Sequence, residues 1–133
     1  MVAVPRERPA RGVRVGSIVV RCTRFDEMRV FWQAALGYVP REAPQDGWVV
    51  LTDPTGTGPN LSLERVDAPI SPAPDELSAI HLDLYTDDQA GEVERLIGLG
   101  ASEVQWDRKP PDADFVILAD PEGNRFCVID TRR

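Results

Sequence analysis

The chain has 133 residues, a length that fits one domain able to bury a core without metal or disulfide staples. Fifteen Lys and Arg stand against 22 Asp and Glu, and the resulting net charge of -7 argues against nucleic acid or an anionic membrane as partner, leaving a small molecule. No apolar run approaches the roughly 20 residues of a membrane span, and the opening residues lack a signal peptide's apolar core, so a cytoplasmic protein is expected.

Residues 1–13 mix prolines and arginines without periodicity and read as a flexible N-terminal arm. Residues 15–22 alternate as a strand, with Ile18 and Val20 on one face and Ser17, Val19 and Arg21 on the other. From 25 to 36, apolar residues at Phe25, Met28, Phe31, Trp32, Ala35 and Leu36 make a helical stripe that Gly37 closes, and Trp32 is most simply core. Residues 38–41 and 47–52 read as strands, followed by a turn that runs from Asp53 and Pro54 to Gly58 and Pro59. A strand over 60–66 sets Leu61 and Leu63 against Ser62 and Glu64, and residues 68–77, rich in proline and acid, form a linker.

The pattern then restarts. Residues 79–85 predict a strand that sets Ile80, Leu82 and Leu84 against His81, Asp83 and Tyr85, and His81 is the only histidine. A face that joins imidazole, carboxylate and phenol suits the wall of a cavity. Residues 87–99 predict a second helix with apolar positions at Ala90, Val93, Leu96, Ile97 and Leu99 and Gly100 as its stop. Strands over 101–106 and 114–118, a turn from Asp120 to Asn124 and a last strand over 125–130 complete the series. Cys22 and Cys127 each sit inside a strand-like run without paired-ligand spacing, which predicts free thiols in a reducing compartment.

The two halves answer each other. Leu36 and Gly37 match Leu99 and Gly100, and the run from Trp48 to Gly56 matches that from Phe115 to Gly123, each ending in Asp-Pro-x-Gly. Units at about 14–67 and 78–131 are each too small to bury a sheet alone, so the two are expected to share a core and a concave surface.

This order, the Asp-Pro-x-Gly turns, the Phe31-Trp32 and Leu36-Gly37 pairs, and the turn from Asp120 to Asn124 before the last strand resemble the vicinal oxygen chelate superfamily. Within it, the chain is similar to the small glyoxalase-like proteins grouped with glyoxalase I, bleomycin resistance proteins and extradiol dioxygenases. The resemblance covers residues 14–130 and implies an α+β fold: two βαβββ modules in tandem, forming curved mixed sheets around a cavity. It also implies a single glyoxalase-like domain over 14–133, usually within a homodimer.

Metal-using members take one ligand from the first and one from the last strand of each module, two His or Gln and two Glu, around positions open to a bidentate substrate. Carried onto this chain, those positions fall on Ser17, Glu64, His81 and Cys127, and only Glu64 and His81 match. Serine is a poor ligand and a thiolate is soft, so the oxygen and nitrogen site for magnesium, manganese, iron or nickel is compromised. No metal cofactor is favoured. His81 is then a hydrogen-bonded cavity residue and Cys127 a small filler, while a divalent metal, if held, would rest on Glu64, His81 and Cys127.

Under that register Arg21 and Asp83 both face the cavity, either paired with each other or with Arg21 holding a ligand carboxylate or phosphate. Glu64 and His81 are candidates for a catalytic acid and base pair without metal. Trp48, Trp106, Phe115 and Tyr85 either line a pocket for a flat or apolar ligand or pack in the core; strand parity points Trp48 and Phe115 into two cavity halves and leaves Trp106 on the rim. The chain shows no phosphate-cradling glycine loop and no dinucleotide fingerprint. The first expectation is therefore a protein that binds or sequesters a small, partly aromatic ligand over a degenerate metal site. The second is a lyase, isomerase or dioxygenase, and the third is a module acting only through dimer contacts.

Overall fold

Helix α1 (Phe25–Leu36) forms where the apolar stripe falls, burying Phe25, Met28, Phe31, Trp32 and Ala35 along one side. It ends where Gly37 turns to φ 68°, a left-handed conformation that costs a side-chain-bearing residue more than glycine. The structure is a computed structural model that describes residues 14–68 and 80–132; the arm 1–13 and the linker from 69 onward lie outside the described residues.

Around α1 the first unit places β1 (Ser17–Cys22), β2 (Val39–Pro40), β3 (Trp48–Thr52) and β4 (Asn60–Arg65) in a sheet ordered β1-β4-β3-β2. The second unit repeats the plan with β5 (Leu82–Thr86), α2 (Gln89–Leu99), β6 (Ser102–Glu103), β7 (Phe115–Ala119) and β8 (Arg125–Asp130), ordered β5-β8-β7-β6. In each sheet the first and last strands run parallel and the other pairs antiparallel, so the chain is α+β with two mixed sheets built as βαβββ twice. None of the helices among the described residues is long and apolar enough to cross a membrane.

The units share one core. Leu51, Leu61 and Leu63 from the first sheet and Leu118, Phe126 and Val128 from the second close on α1. Phe31 and Trp32 meet edge to face at 5.1 Å, and Trp32 meets Phe126 at the same distance. Polar clasps reinforce that contact: Trp32 Nε1 donates to Asp120 Oδ2 at 3.1 Å, and Glu122 accepts from the backbone of Thr23 and Arg24. Burial holds the Asp120 carboxyl above the usual aspartate range against the hydrogen bonds from Asn124, Trp32 and the Glu122 backbone.

Several strands are shorter than their sequence patterns, and two of these bear on the second sheet's outer face. Strand β5 starts at Leu82, where pairing with Phe126 of β8 begins; Ile80, expected on the inner face, is 84% exposed and His81 precedes the strand. The run 101–106 keeps only Ser102 and Glu103 as strand; one more bond to β7 follows, from the Val104 N–H to the Ile117 carbonyl at 2.9 Å, and the pairing ends there. Alternation sets which face a residue takes, but a strand persists only where a neighbour supplies hydrogen bonds.

Candidate functional site

Period-two alternation sends Ile18, Val20, Leu82 and Leu84 towards the core and leaves the odd positions of β1 and β5 outward. On the second sheet those outward residues line a cavity of about 420 Å³. Asp83 and Tyr85 come from β5, Phe115 and Ile117 from β7, Cys127 from β8, and His81 from just ahead of β5. The central strand β8 fixes the row: Cys127 stands opposite Asp83 on one side and Ile117 on the other.

One end of the cavity is apolar and aromatic. Trp106, expected on the rim, lines it with its ring 6.5 Å from that of Phe115, and the Lys109 ammonium lies 5.7 Å from the Phe115 centroid. The other end is polar: His81 Nε2 lies 3.1 Å from Asp83 Oδ1, both side chains being a little under half exposed. Burial, followed by the charge and hydrogen bond of Asp83, pushes the Cys127 thiol up against a smaller opposing pull from Lys109. Cys127 is thus a neutral thiol near pH 7 and a weak nucleophile. Both cysteines are free, and burial with the nearby carboxylates of Glu122 and Asp120 pushes Cys22 up to about 11.

The first sheet's outer face is organised differently. Arg21 and Glu64 are register partners of parallel β1 and β4, and their side chains pair at 3.5 Å. An Arg21 to Asp83 pair is therefore not formed: each has its partner on its own sheet, Arg21 in Glu64 and Asp83 in His81. Ser17 and Ser62 share a hydroxyl hydrogen bond at 2.6 Å, and Trp48, 38% exposed, stands across from Glu64 outside the cavity lining. The expected Glu64 and His81 pair is divided between the sheets, and Glu64 does not line the cavity.

The positions that the resemblance assigns to metal are likewise divided, with Ser17 and Glu64 on one sheet and His81 and Cys127 on the other. Within one chain they do not fit a four-ligand oxygen and nitrogen centre. Among the described residues, the donors that do converge are His81, Asp83 and Cys127, all within 4.8 Å of one another. Sequence reasoning missed Asp114, Ile117, Arg125, Phe126 and Ile129 as cavity residues, although Ile117 shares strand parity with Phe115. A second hollow, about 530 Å³, lies at the start of α1; its Arg24 and Arg65 are paired with Glu27 at 3.0 Å and Asp46 at 2.7 Å.

Two βαβββ units packed through one core, each sheet turning a side-chain face outward, define a member of the vicinal oxygen chelate superfamily. Residues 17–129 match the glyoxalase-like domain, and the chain belongs to that family. Its fold is similar to a glyoxalase/bleomycin resistance protein/dioxygenase family enzyme from Burkholderia phytofirmans (16% identity over 87% of this chain and 97% of that one, TM-score 0.68). It is also similar to a glyoxalase-related enzyme from Fulvimarina pelagi (17% identity, 87% and 86% covered, TM-score 0.64). A third likeness is to protein ATC0852 from Agrobacterium tumefaciens (16% identity, 89% and 97% covered, TM-score 0.68). No curated protein matches the chain in sequence.

Proposed function

We propose that the chain binds or sequesters a small, partly aromatic ligand in the cavity of its second sheet. The observation that carries this reading is the wall made by Trp106 and Phe115, rings 6.5 Å apart, in a cavity whose polar end places His81 Nε2 3.1 Å from Asp83 Oδ1. An apolar wall with a few convergent polar groups is the usual build of a small-molecule site, and 420 Å³ suits a compact one- or two-ring compound. Such a ligand lies on the aromatic wall and directs a hydroxyl, amide or carboxylate at the imidazole and carboxylate. Screening a library of one- and two-ring compounds by melting shift, then calorimetry, tests this. The expected hits lose affinity in Phe115→Ala, and hits insensitive to Phe115→Ala and Trp106→Ala would overturn the assignment.

A second reading, proton transfer on the bound molecule as in a lyase or isomerase, draws on the 3.1 Å His81 and Asp83 contact, which orients an imidazole for acid and base work. It is tested by product analysis on each hit with His81→Ala as control. We also propose a homodimer. The open faces carry Val19 at 50% and Trp48 at 38% exposure, and β1 and β5 are sheet edges, apolar surface and backbone that a second copy would cover. Sedimentation equilibrium giving a monomer at micromolar concentration would reject that assembly.

A further inference from the structure

We propose that His81, Asp83 and Cys127 form a three-ligand site for a borderline-soft divalent cation of the zinc class, with its fourth position open to the cavity. The site is specified by the backbone. His81, just ahead of β5, and Asp83 within it are two residues apart and line the same cavity, and Asp83 is the register partner of Cys127 on parallel β8. Their donor atoms all lie within 4.8 Å of one another, and His81 Nε2 is 3.1 Å from Asp83 Oδ1. A tetrahedral zinc with ligands at about 2.0–2.3 Å needs donors about 3.3–3.8 Å apart, so small side-chain rotations close the set.

The donor chemistry selects the ion. One imidazole nitrogen, one carboxylate oxygen and one thiolate suit zinc or cobalt(II) and disfavour magnesium and calcium, which take oxygen. Binding replaces the thiol proton of Cys127 by the metal and releases it to solvent. The complex of a dication with a thiolate, a carboxylate and a neutral imidazole then carries no net charge, which suits a position beside Ile117, the register partner of Cys127 on β7. This is not the four-ligand centre that the family resemblance implied: Ser17 and Glu64 lie on the other sheet, Asp83 has no place in that set, and all three donors here belong to one module. A cavity-facing open position is also the arrangement that lets a bound metal touch a ligand rather than only brace the fold.

The test uses the full chain, reduced and stripped with chelator, titrated with cobalt(II) and then zinc in the absence of any organic compound. It is therefore decided separately from the aromatic-ligand reading. The expected result is one equivalent of cobalt producing a near-ultraviolet thiolate charge-transfer band with tetrahedral visible bands, displaced by zinc but not magnesium, with about one proton released per zinc near neutral pH. Cys127→Ser abolishes the charge-transfer band, His81→Ala and Asp83→Asn each weaken zinc binding by about tenfold or more, and Cys22→Ser leaves both unchanged. Far-ultraviolet circular dichroism confirms that each variant is folded. Absence of the band in folded wild-type protein, its survival in Cys127→Ser, or unchanged zinc affinity in both His81→Ala and Asp83→Asn would each overturn the site.

Discussion

Glu122 and Thr23 join the two halves of the chain: a carboxylate in the turn between β7 and β8 accepts from the Thr23 backbone at 2.8 Å and from its hydroxyl at 2.8 Å. The same carboxylate takes the Arg24 N–H at 2.9 Å. Helix α1 has no side-chain cap of its own at Arg24, so the second unit supplies the acid that its N-terminus favours. The Asp-Pro-x-Gly turn recognised as a repeat is thus also a clasp between modules.

Glu122→Ala is expected to cost about 1–2 kcal/mol, the usual range for losing an N-cap, seen as a lower midpoint in urea. The pH dependence has a definite sign. Burial is the largest single influence on Glu122 and raises its carboxyl, but the hydrogen bonds from Thr23 and Arg24 and the Arg24 charge together hold it below the ordinary glutamate value. A carboxyl depressed by folding adds stability above its unfolded pKa and loses it as pH falls through the folded value. Melting curves between about pH 6 and 3 should therefore fall less steeply for Glu122→Gln than for wild type. Asp120, raised chiefly by burial, acts in the opposite direction, so an equal slope in the two proteins would show that the clasp contributes nothing as a charge.

The other end of α1 is held from the same side. Arg95 of α2 donates to the carbonyls of Ala34 at 3.2 Å and Ala35 at 2.9 Å, in a last turn that carries no basic residue of its own. Those carbonyls have no partner within the helix, and a cation there also meets the negative end of the helix dipole. Arg95→Ala should cost about 0.5–1.5 kcal/mol. Arg21→Ala, which removes a pair whose side chains are 60% and 44% exposed, should cost about 0–1 kcal/mol and sit at the lower end of the two. Chemical denaturation of both variants compares them directly, and an Arg21 effect as large as that of Arg95 would contradict this account of α1.

What could be seen in the sequence was whatever short-range pattern dictates. The bounds of α1 followed from its stripe and from Gly37, and the outward sense of Asp83, Tyr85 and Phe115 followed from alternation. Which charges meet did not follow, because Arg21 finds Glu64 through the register of two strands far apart in sequence. The same limit applied to Ile80 and to the residues after Val104, which alternate like strand but lie outside the pairing of β5 with β8 and of β6 with β7. Grouping Glu64 with His81 assumed a space shared by both sheets; in the structure Glu64 pairs with Arg21 on the first sheet and does not line the cavity of the second.

Two glycines should respond with opposite signs. Gly37 holds φ 68° with open space where a methyl group would stand, so Gly37→Ala meets only backbone strain, about 1 kcal/mol of destabilisation. Gly98 lies within α2 without positive φ and with nothing within 4 Å of an added Cβ. Gly98→Ala should stabilise by about 0.5–1 kcal/mol through helix propensity. Thermal melts of the two variants in one buffer check the signs, and a loss of stability in Gly98→Ala would mean that the outer side of α2 is packed against something.

At the cavity, folding and binding rest on different side chains. His81 precedes β5, keeps 41% of its side chain exposed and meets Asp83, which is itself 45% exposed, so His81→Ala removes little packing. Its melting point should stay close to wild type, within about 0.5 kcal/mol of stability. Phe115 is only partly buried and serves as the aromatic floor, so Phe115→Ala should likewise remain folded while losing stacking area. Against any aromatic compound that binds wild type, His81→Ala should weaken polar members of a series and leave apolar ones unchanged, whereas Phe115→Ala should weaken all of them by about tenfold. Calorimetry across such a series, with melting curves for each variant, gives both quantities. A large loss of stability in His81→Ala would make the imidazole a structural element of β5 rather than the polar end of a binding site, because truncating a cavity wall leaves the core beneath it, Leu82, Leu84 and Phe126, intact.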